Sequence, residues 1–277
     1  MSATKHRIRY TALALFAIPW VVVPAWVMIV SSFKTRAEAT ELSLSLPRKW
    51  NIVENYKTVF TVGGYPSALK NSLLIVLPTI IVVIFLGSLT AWAFARSKSI
   101  AMKVAYNVSV LSILLPAALL PTIYLLDALG LRGTRPGYIL VTIGMRLGLV
   151  IFLATGFLRA FPRDMEEAAA IDGANRGQIY RFIVLPMLSP VLFVGAVLLV
   201  ISVWNEFFFA SFLLPKPDQA TLPIALYRFA TAGTTQVTYQ WQLIFAHVVM
   251  TSLPLIVVYL VAQRRVLSGL TEGGVKG

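Results

Sequence analysis

The 277-residue chain is 58% hydrophobic and 13% charged, with a mean hydropathy of +0.79, which excludes an ordinary soluble domain. It has no cysteine and only two histidines, His6 and His247, so disulfides, a thiolate metal centre and a histidine-rich metal site are excluded. The net charge of +13 does not imply nucleic acid, because the basic residues gather at the ends of apolar runs and in short loops.

A helix needs about 20 apolar residues to cross a ~30 Å hydrocarbon core, and six segments reach that length. The first is 11–33. Lys5, His6, Arg7 and Arg9 before it imitate a signal peptide, but the apolar run is about twice the usual length, so it is kept as a helix. A long connection, 34–66, leads to a second span at 72–94 and a third at 104–126, none of the three spans holding a charge. The fourth, 138–158, carries Arg146. A polar connection, 159–187, precedes the fifth, 188–214, which carries Glu206. The loop Pro215 to Gln240 has Thr231, Thr234, Thr235 and Gln236 near its centre, and the sixth span, 241–262, holds His247. Residues 263–277 form a tail. Backbone groups cannot be left unpaired in lipid, so all six spans are predicted to be helices. Prolines 19, 24, 78, 116, 121 and 254 lie inside them, where bundle neighbours absorb kinks. The expectation is an all-α membrane protein of six transmembrane helices in a single domain, residues 1–277, embedded in a lipid bilayer.

Six spans put both termini on one side. With the termini inside, 13 of the 24 Lys and Arg fall inside and nine outside, a modest positive-inside bias. No GxxxxGK[ST] occurs, so the chain has no P-loop with which to hydrolyse ATP.

The connection 159–187 is the most patterned stretch. Asp164 and Glu166 follow Pro162 and suit the positive end of a helix. Ala168 to Ala170 propagate that helix, and Gly173 ends it or lets another backbone approach. A second amphipathic piece, Asn175 to Val184, is expected to run to Pro186, where the next span begins. Two short helices joined at a glycine would make a compact knob for a soluble partner to grip.

This stretch reads Glu167-Ala168-Ala169, three residues, Gly173, nine residues, Ile183, one residue, Leu185-Pro186. It resembles the cytoplasmic EAA loop of permease subunits of bacterial ATP-binding-cassette (ABC) importers. Ser32-Phe33-Lys34, Trp50 with Asn55-Tyr56, Asn71-Ser72-Leu73 and Trp204-Asn205-Glu206 are similar to the carbohydrate-type branch. Gly269 to Gly277 looks like the tail of the smaller permease of maltose-type (MalG-like) systems.

The resemblance implies a type I ABC importer permease in a bacterial cytoplasmic (inner) membrane, with both termini cytoplasmic. It implies as partners a second related permease, two cytoplasmic ATPases and an extracytoplasmic solute-binding protein. ATP and Mg would be bound by the ATPases, and this chain, not itself an enzyme, would bind no cofactor and no metal. Glu167, Ala168, Ala169 and Gly173 would form the coupling surface, with Ile183, Leu185 and Pro186 rejoining the loop to the core. The tail residues Gly273, Gly274, Val275, Lys276 and Gly277 would reach the interface between the ATPases. In maltose-type systems the loop matching 215–240 probes the binding protein's cleft. The first external loop, 34–66, is long enough to add a contact.

Polar residues inside spans are functional candidates because burying them is costly. Arg146 is a candidate for hydrogen bonding to a polyhydroxy solute, against snorkelling or pairing with Glu206. Glu206 and Asn205 carry a structural reading alongside solute contact. His247 is expected to make a packing hydrogen bond, and Phe207 to Phe209 offer aromatic faces at least one of which must turn to lipid or a helix.

The function expected is import of a sugar or oligosaccharide, with glycerol phosphate or a polyol as the alternative solute. An ion-coupled secondary transporter is the remote alternative, since the spans hold one carboxylate, Glu206, and no half-to-half repeat is seen.

Overall fold

The computed structural model describes residues 10–11, 13–16, 18–115, 117–232 and 239–274, with the side chains of Ile18 and 264–274 excepted. Its described elements are helical. A wide π turn, Ile18–Val22, leads into α1 (Val23–Ser31). There follow α2 (Arg36–Ala39), α3 (Ile52–Thr61), α4 (Tyr65–Arg96), α5 (Ile100–Leu114), α6 (Leu119–Ala128) and α7 (Arg135–Arg159). Then come α8 (Asp164–Ile171), α9 (Arg176–Ile179), α10 (Leu185–Trp204), α11 (Phe208–Leu213), α12 (Leu222–Thr231) and α13 (Trp241–Gly274).

Among the described residues, five helices are long and apolar enough to cross a membrane: Leu13–Ser31, Tyr65–Arg96, Arg135–Arg159, Arg176–Trp204 and Trp241–Gln263. A sixth span is reached if α5 and α6, bent by 116°, count as one. The unbroken span expected at 104–126 is therefore two helices. Leu115 leaves α5 in extended backbone (φ −89°, ψ 119°), the conformation favoured for a residue that precedes a proline, here Pro116. The span expected at 188–214 is also displaced. Its helix begins at Arg176, ends at Trp204 and is separated from α11 by Asn205, Glu206 and Phe207. The second span starts earlier than expected, at Tyr65, and the fourth at Arg135. The fourth is fixed by the Thr134 hydroxyl, which accepts from Gly137 N–H at 3.1 Å. The last helix runs without a break to Gly274, through much of the expected tail.

The chain divides into two compact units, Met1–Leu69 with Leu222–Pro254 and Lys70–Thr221 with Leu255–Gly277. In the first, the motif residues of the first connection meet. Asn55 Nδ2 donates to the carbonyls of Ser32 and Lys34, both at 2.9 Å. Lys34 is buried, and its ammonium donates to the Ser43 carbonyl at 2.8 Å and hydroxyl at 3.0 Å. Phe33 packs against Trp50 and Tyr56, and burial raises the Tyr56 hydroxyl pKa above its ordinary value. His247 is fully buried between Tyr65 and Phe229, with Nδ1 3.2 Å from the Thr251 hydroxyl.

The second unit is built on three helices. Val83 and Ala91 of α4, Val150, Ala154 and Leu158 of α7, and Leu188, Leu192 and Leu199 of α10 form one buried cluster, with Ile179, Tyr180 and Val184 continuing it. Helix association in lipid depends on close packing at small residues. Gly148 of α7 lies against the backbone carbonyl of Ser109 on α5, and Gly87 against Val150. The other face of these helices is apolar and exposed, as at Leu77, Ile81, Phe85 and Phe152, which is the surface a lipid-facing helix presents.

Candidate functional site

The connection between α7 and α10 is a knob whose geometry follows from its sequence. Asp164, Glu166 and Glu167 occupy the first turn of α8, where carboxylates meet the positive end of the helix dipole. The helix stops at Gly173, whose φ of +88° is a left-handed conformation that an L side chain strains to adopt. Asn175 then starts the next helix with a reciprocal cap. Its side chain accepts from Gln178 N–H at 3.0 Å, and the Gln178 side chain accepts from Asn175 N–H at 2.8 Å.

That second helix is not a separate short piece. From Arg176 it runs on through a π turn, Tyr180–Val184, into α10 and the span. Pro186 lacks an N–H and crowds the carbonyl four residues back, and the π turn just ahead of it absorbs the mismatch. Ile183, Leu185 and Pro186 therefore lie within one helix, with Leu185 packed against the helix cluster, and the boundary expected at Pro186 is absent.

Glu167, Ala168 and Gly173 are exposed, whereas Ala169 is half-buried and packs on the helix cluster. Ala169 thus takes the packed face of α8. The exposed large apolar side chains of α8 are ones the sequence reading did not single out, Met165 (60% exposed) and Ile171 (86% exposed).

Glu166 anchors the knob. Its carboxylate accepts from Trp92 Nε1 at 2.8 Å, Arg96 Nε at 2.8 Å and Arg96 NH2 at 2.6 Å. Arg96 NH1 also donates to the carbonyls of Leu158 (3.1 Å) and Phe161 (3.3 Å) at the end of α7. Arg163 donates to the Arg96 carbonyl at 3.1 Å. Below this clamp the Ser88 and Tyr180 hydroxyls lie 2.7 Å apart, and Trp92 packs on Tyr180. The end of α4 is thus joined to both halves of the knob. A signal was available, since Trp92 and Arg96 are four apart on α4, on one helical face.

The polar candidates of the spans fall into two groups. Arg146, near the middle of the 25-residue α7, donates from NH2 to Glu206 at 3.0 Å, a pairing that the sequence left open beside solute contact. Glu206 lies in the gap between α10 and α11 and also caps α11, accepting from Phe209 N–H at 3.0 Å. Asn205 turns its amide onto the Ile201 carbonyl, 2.8 Å away, and closes α10. Near the starts of α4 and α7, Asn71 Nδ2 donates to the carbonyls of Asp218 (2.8 Å) and Ala220 (3.0 Å), and Arg135 NH2 donates to Asn71 Oδ1 at 2.9 Å. These bonds hold the start of the 215–240 loop. Thr234, Thr235 and Gln236 lie outside the described residues, as do Val275, Lys276 and Gly277. Gly273 and Gly274 are the last residues of α13.

Residues 83–270 match the family model described as "Binding-protein-dependent transport system inner membrane component". The chain is 31% identical, over 91% of each chain, to the "Probable starch degradation products transport system permease protein AmyC" of Thermoanaerobacterium thermosulfurigenes. It is 34% identical to the "Trehalose transport system permease protein SugB" of Mycobacterium tuberculosis, over 81% of this chain and 82% of that one. Among solved structures, a chain of a bacterial ABC transporter involved in the import of the acidic polysaccharide alginate superposes with a TM-score of 0.82 at 22% identity, covering 95% of this chain and 96% of that one.

Proposed function

The chain belongs to the family of binding-protein-dependent transport system inner membrane components, and from that membership we propose that it is the permease subunit of an ATP-driven importer for a sugar or oligosaccharide. The observation that carries the solute class is that relatives aligning over most of the chain are named for starch degradation products and trehalose.

The proposed assembly contains a second related permease, two ATPases that bind ATP and Mg, and an extracytoplasmic solute-binding protein. Both termini face the cytoplasm, on the same side as the knob. Met165, Glu167, Ala168 and Ile171 offer the ATPase an apolar surface with one carboxylate, and Gly173 supplies the turn that presents it. ATPase closure moves the knob. The motion passes to α10 because Arg176–Trp204 is one helix, and to α4 because Arg96 and Trp92 hold Glu166. Closure then shifts the balance between inward- and outward-facing states by the difference in ATPase contact between them. The tail from Gly273 to Gly277 reaches between the ATPases.

The test is ATPase activity of the reconstituted complex with its binding protein loaded in turn with maltose, trehalose, alginate oligomers and glycerol phosphate. Stimulation by a loaded sugar supports the reading. Stimulation by glycerol phosphate alone moves the solute to the sugar-phosphate class, and activity indifferent to every loaded protein removes the sugar assignment.

A further inference from the structure

Non-helical backbone at membrane depth persists only where protein buries it or where it lines a wet cavity. Two predicted spans are interrupted here, between α5 and α6 and between α10 and α11. The first interruption borders a cavity of about 570 Å³, with Ser112, Leu115, Thr122, Arg146 and Ser202 in its wall. Leu115 belongs to the first gap, and Glu206, in the second, is tied to the cavity by its 3.0 Å ion pair with Arg146. The volume lies within the usual range for small-molecule sites, about 300–1,000 Å³, and so does the pattern of an apolar wall with few polar groups.

Those polar groups have hydrogen-bonding capacity to spare. The Ser112 and Thr122 hydroxyls donate to carbonyls of Ser109 (2.7 Å) and Ala118 (2.8 Å), which leaves their oxygen lone pairs as acceptors. Arg146 Nε is buried with no partner among the described residues, and a buried orphan donor points to a hydrogen-bonding molecule that satisfies it in some state. The charge is already balanced, because Glu206 neutralises Arg146. An uncharged solute with many hydroxyls can use both the donor and the acceptors. An anion would have to leave water without gaining an unpaired cation, which is costly.

We propose that this cavity is a transit site for an uncharged hydroxylated solute, in which Arg146 is the donor and Glu206 sets the net charge to zero. The inference rests on the importer reading and narrows its solute away from sugar phosphates and acidic sugars.

The chain has no native cysteine, so a Ser202→Cys variant gives this subunit a single thiol. In the assembled importer that thiol is challenged with the anionic sulfonatoethyl and the cationic trimethylammonioethyl methanethiosulfonates, in nucleotide-free, ATP-bound and vanadate-trapped states. Modification of this subunit is read by mass. Both reagents are expected to react in at least one state. Adding Glu206→Gln is expected to raise the anionic-to-cationic rate ratio about tenfold, and adding Arg146→Gln to lower it by a similar factor. A local distortion would not move the ratio in opposite directions. No modification in any state, or one ratio in all three backgrounds, overturns the proposal. Binding-protein-stimulated ATPase measured on the same unmodified samples separates the two readings. If stimulation persists while the ratio stays fixed, only the cavity assignment fails; if it is absent throughout, the importer reading fails.

Discussion

Arg96, the last residue of α4, holds Glu166 in the first turn of α8 through both Nε and NH2, at 2.8 and 2.6 Å. Both side chains are largely shielded, 15% and 12% exposed. Both Arg96 donors converge on Oε1 while Trp92 Nε1 donates to Oε2 at 2.8 Å, so charge-assisted bonds to both oxygens fix the carboxylate's orientation and tie the knob to the end of the span.

Arg96→Lys keeps the charge but loses the planar fork and the bonds to the carbonyls of Leu158 and Phe161. The variant is expected to assemble normally and to lose about 1.5–3 kcal/mol of local stability, the range for hydrogen bonds to charged groups. Solute uptake per ATP hydrolysed should fall about tenfold while basal hydrolysis persists. Equal uptake per ATP in wild-type and variant vesicles would make the clamp irrelevant to coupling.

Gly173 has a φ of +88° and open space where a Cβ would point, so its substitutions separate strain from charge. Gly173→Ala is expected to cost about 1 kcal/mol in the turn, and Gly173→Asn less, because Asn tolerates the left-handed region. Gly173→Asp adds a charge at the proposed docking turn and is expected to uncouple uptake while leaving the membrane fold intact. Uptake assays alongside thermal unfolding of the purified complex check the order; full uptake by the Asp variant would remove Gly173 from the coupling role.

Ile171 is 86% exposed at the end of α8, so replacing it opens no cavity, and a carboxylate at the negative end of that helix costs only about 0.3–1 kcal/mol. Ile171→Asp is therefore expected to leave the permease in the membrane but sharply reduce the ATPase that co-purifies with it. Unchanged co-purification would place the ATPase contact elsewhere on the knob.

Gly148 and Gly156 lie two turns apart on α7 in opposite circumstances. A Cβ at Gly148 would run into the Ser109 carbonyl and the Ser112 hydroxyl, whereas at Gly156 it would meet nothing within 4 Å. Gly148→Ala is expected to lower the unfolding temperature of the detergent-solubilised complex. Gly156→Ala should leave it unchanged or raise it, since Ala favours a helix over Gly by roughly 1 kcal/mol. The reverse order would mean that α5 and α7 do not pack at Gly148.

The sequence was legible wherever the physics was local. Apolar length marked the spans, because lipid leaves a backbone no other partner, and the carboxylates and Gly173 marked the knob, because dipole and φ act within a turn. Helix limits were less legible. The break after Leu115 could have been read from Pro116, but a proline in a span is compatible with a kink or a break, and Pro78 stays inside the continuous α4. The break at Asn205 had no comparable breaker. It is held by the Asn205 amide on Ile201 and by Glu206 capping α11, bonds that the same residues forgo in an intact helix.

By itself, the sequence determined an all-helical membrane chain and the position of its knob, because burial of apolar length and capping are properties of contiguous residues. Only the tertiary structure decided that Glu166 is gripped by Arg96, 70 residues earlier, and that Arg146 is neutralised by Glu206, 60 residues later. Such pairings depend on which faces the helices turn to one another. A span apolar on nearly every side carries too weak a periodicity to fix its own rotation, so the rotation is set by small-residue contacts such as Gly148 on Ser109 and Gly87 on Val150.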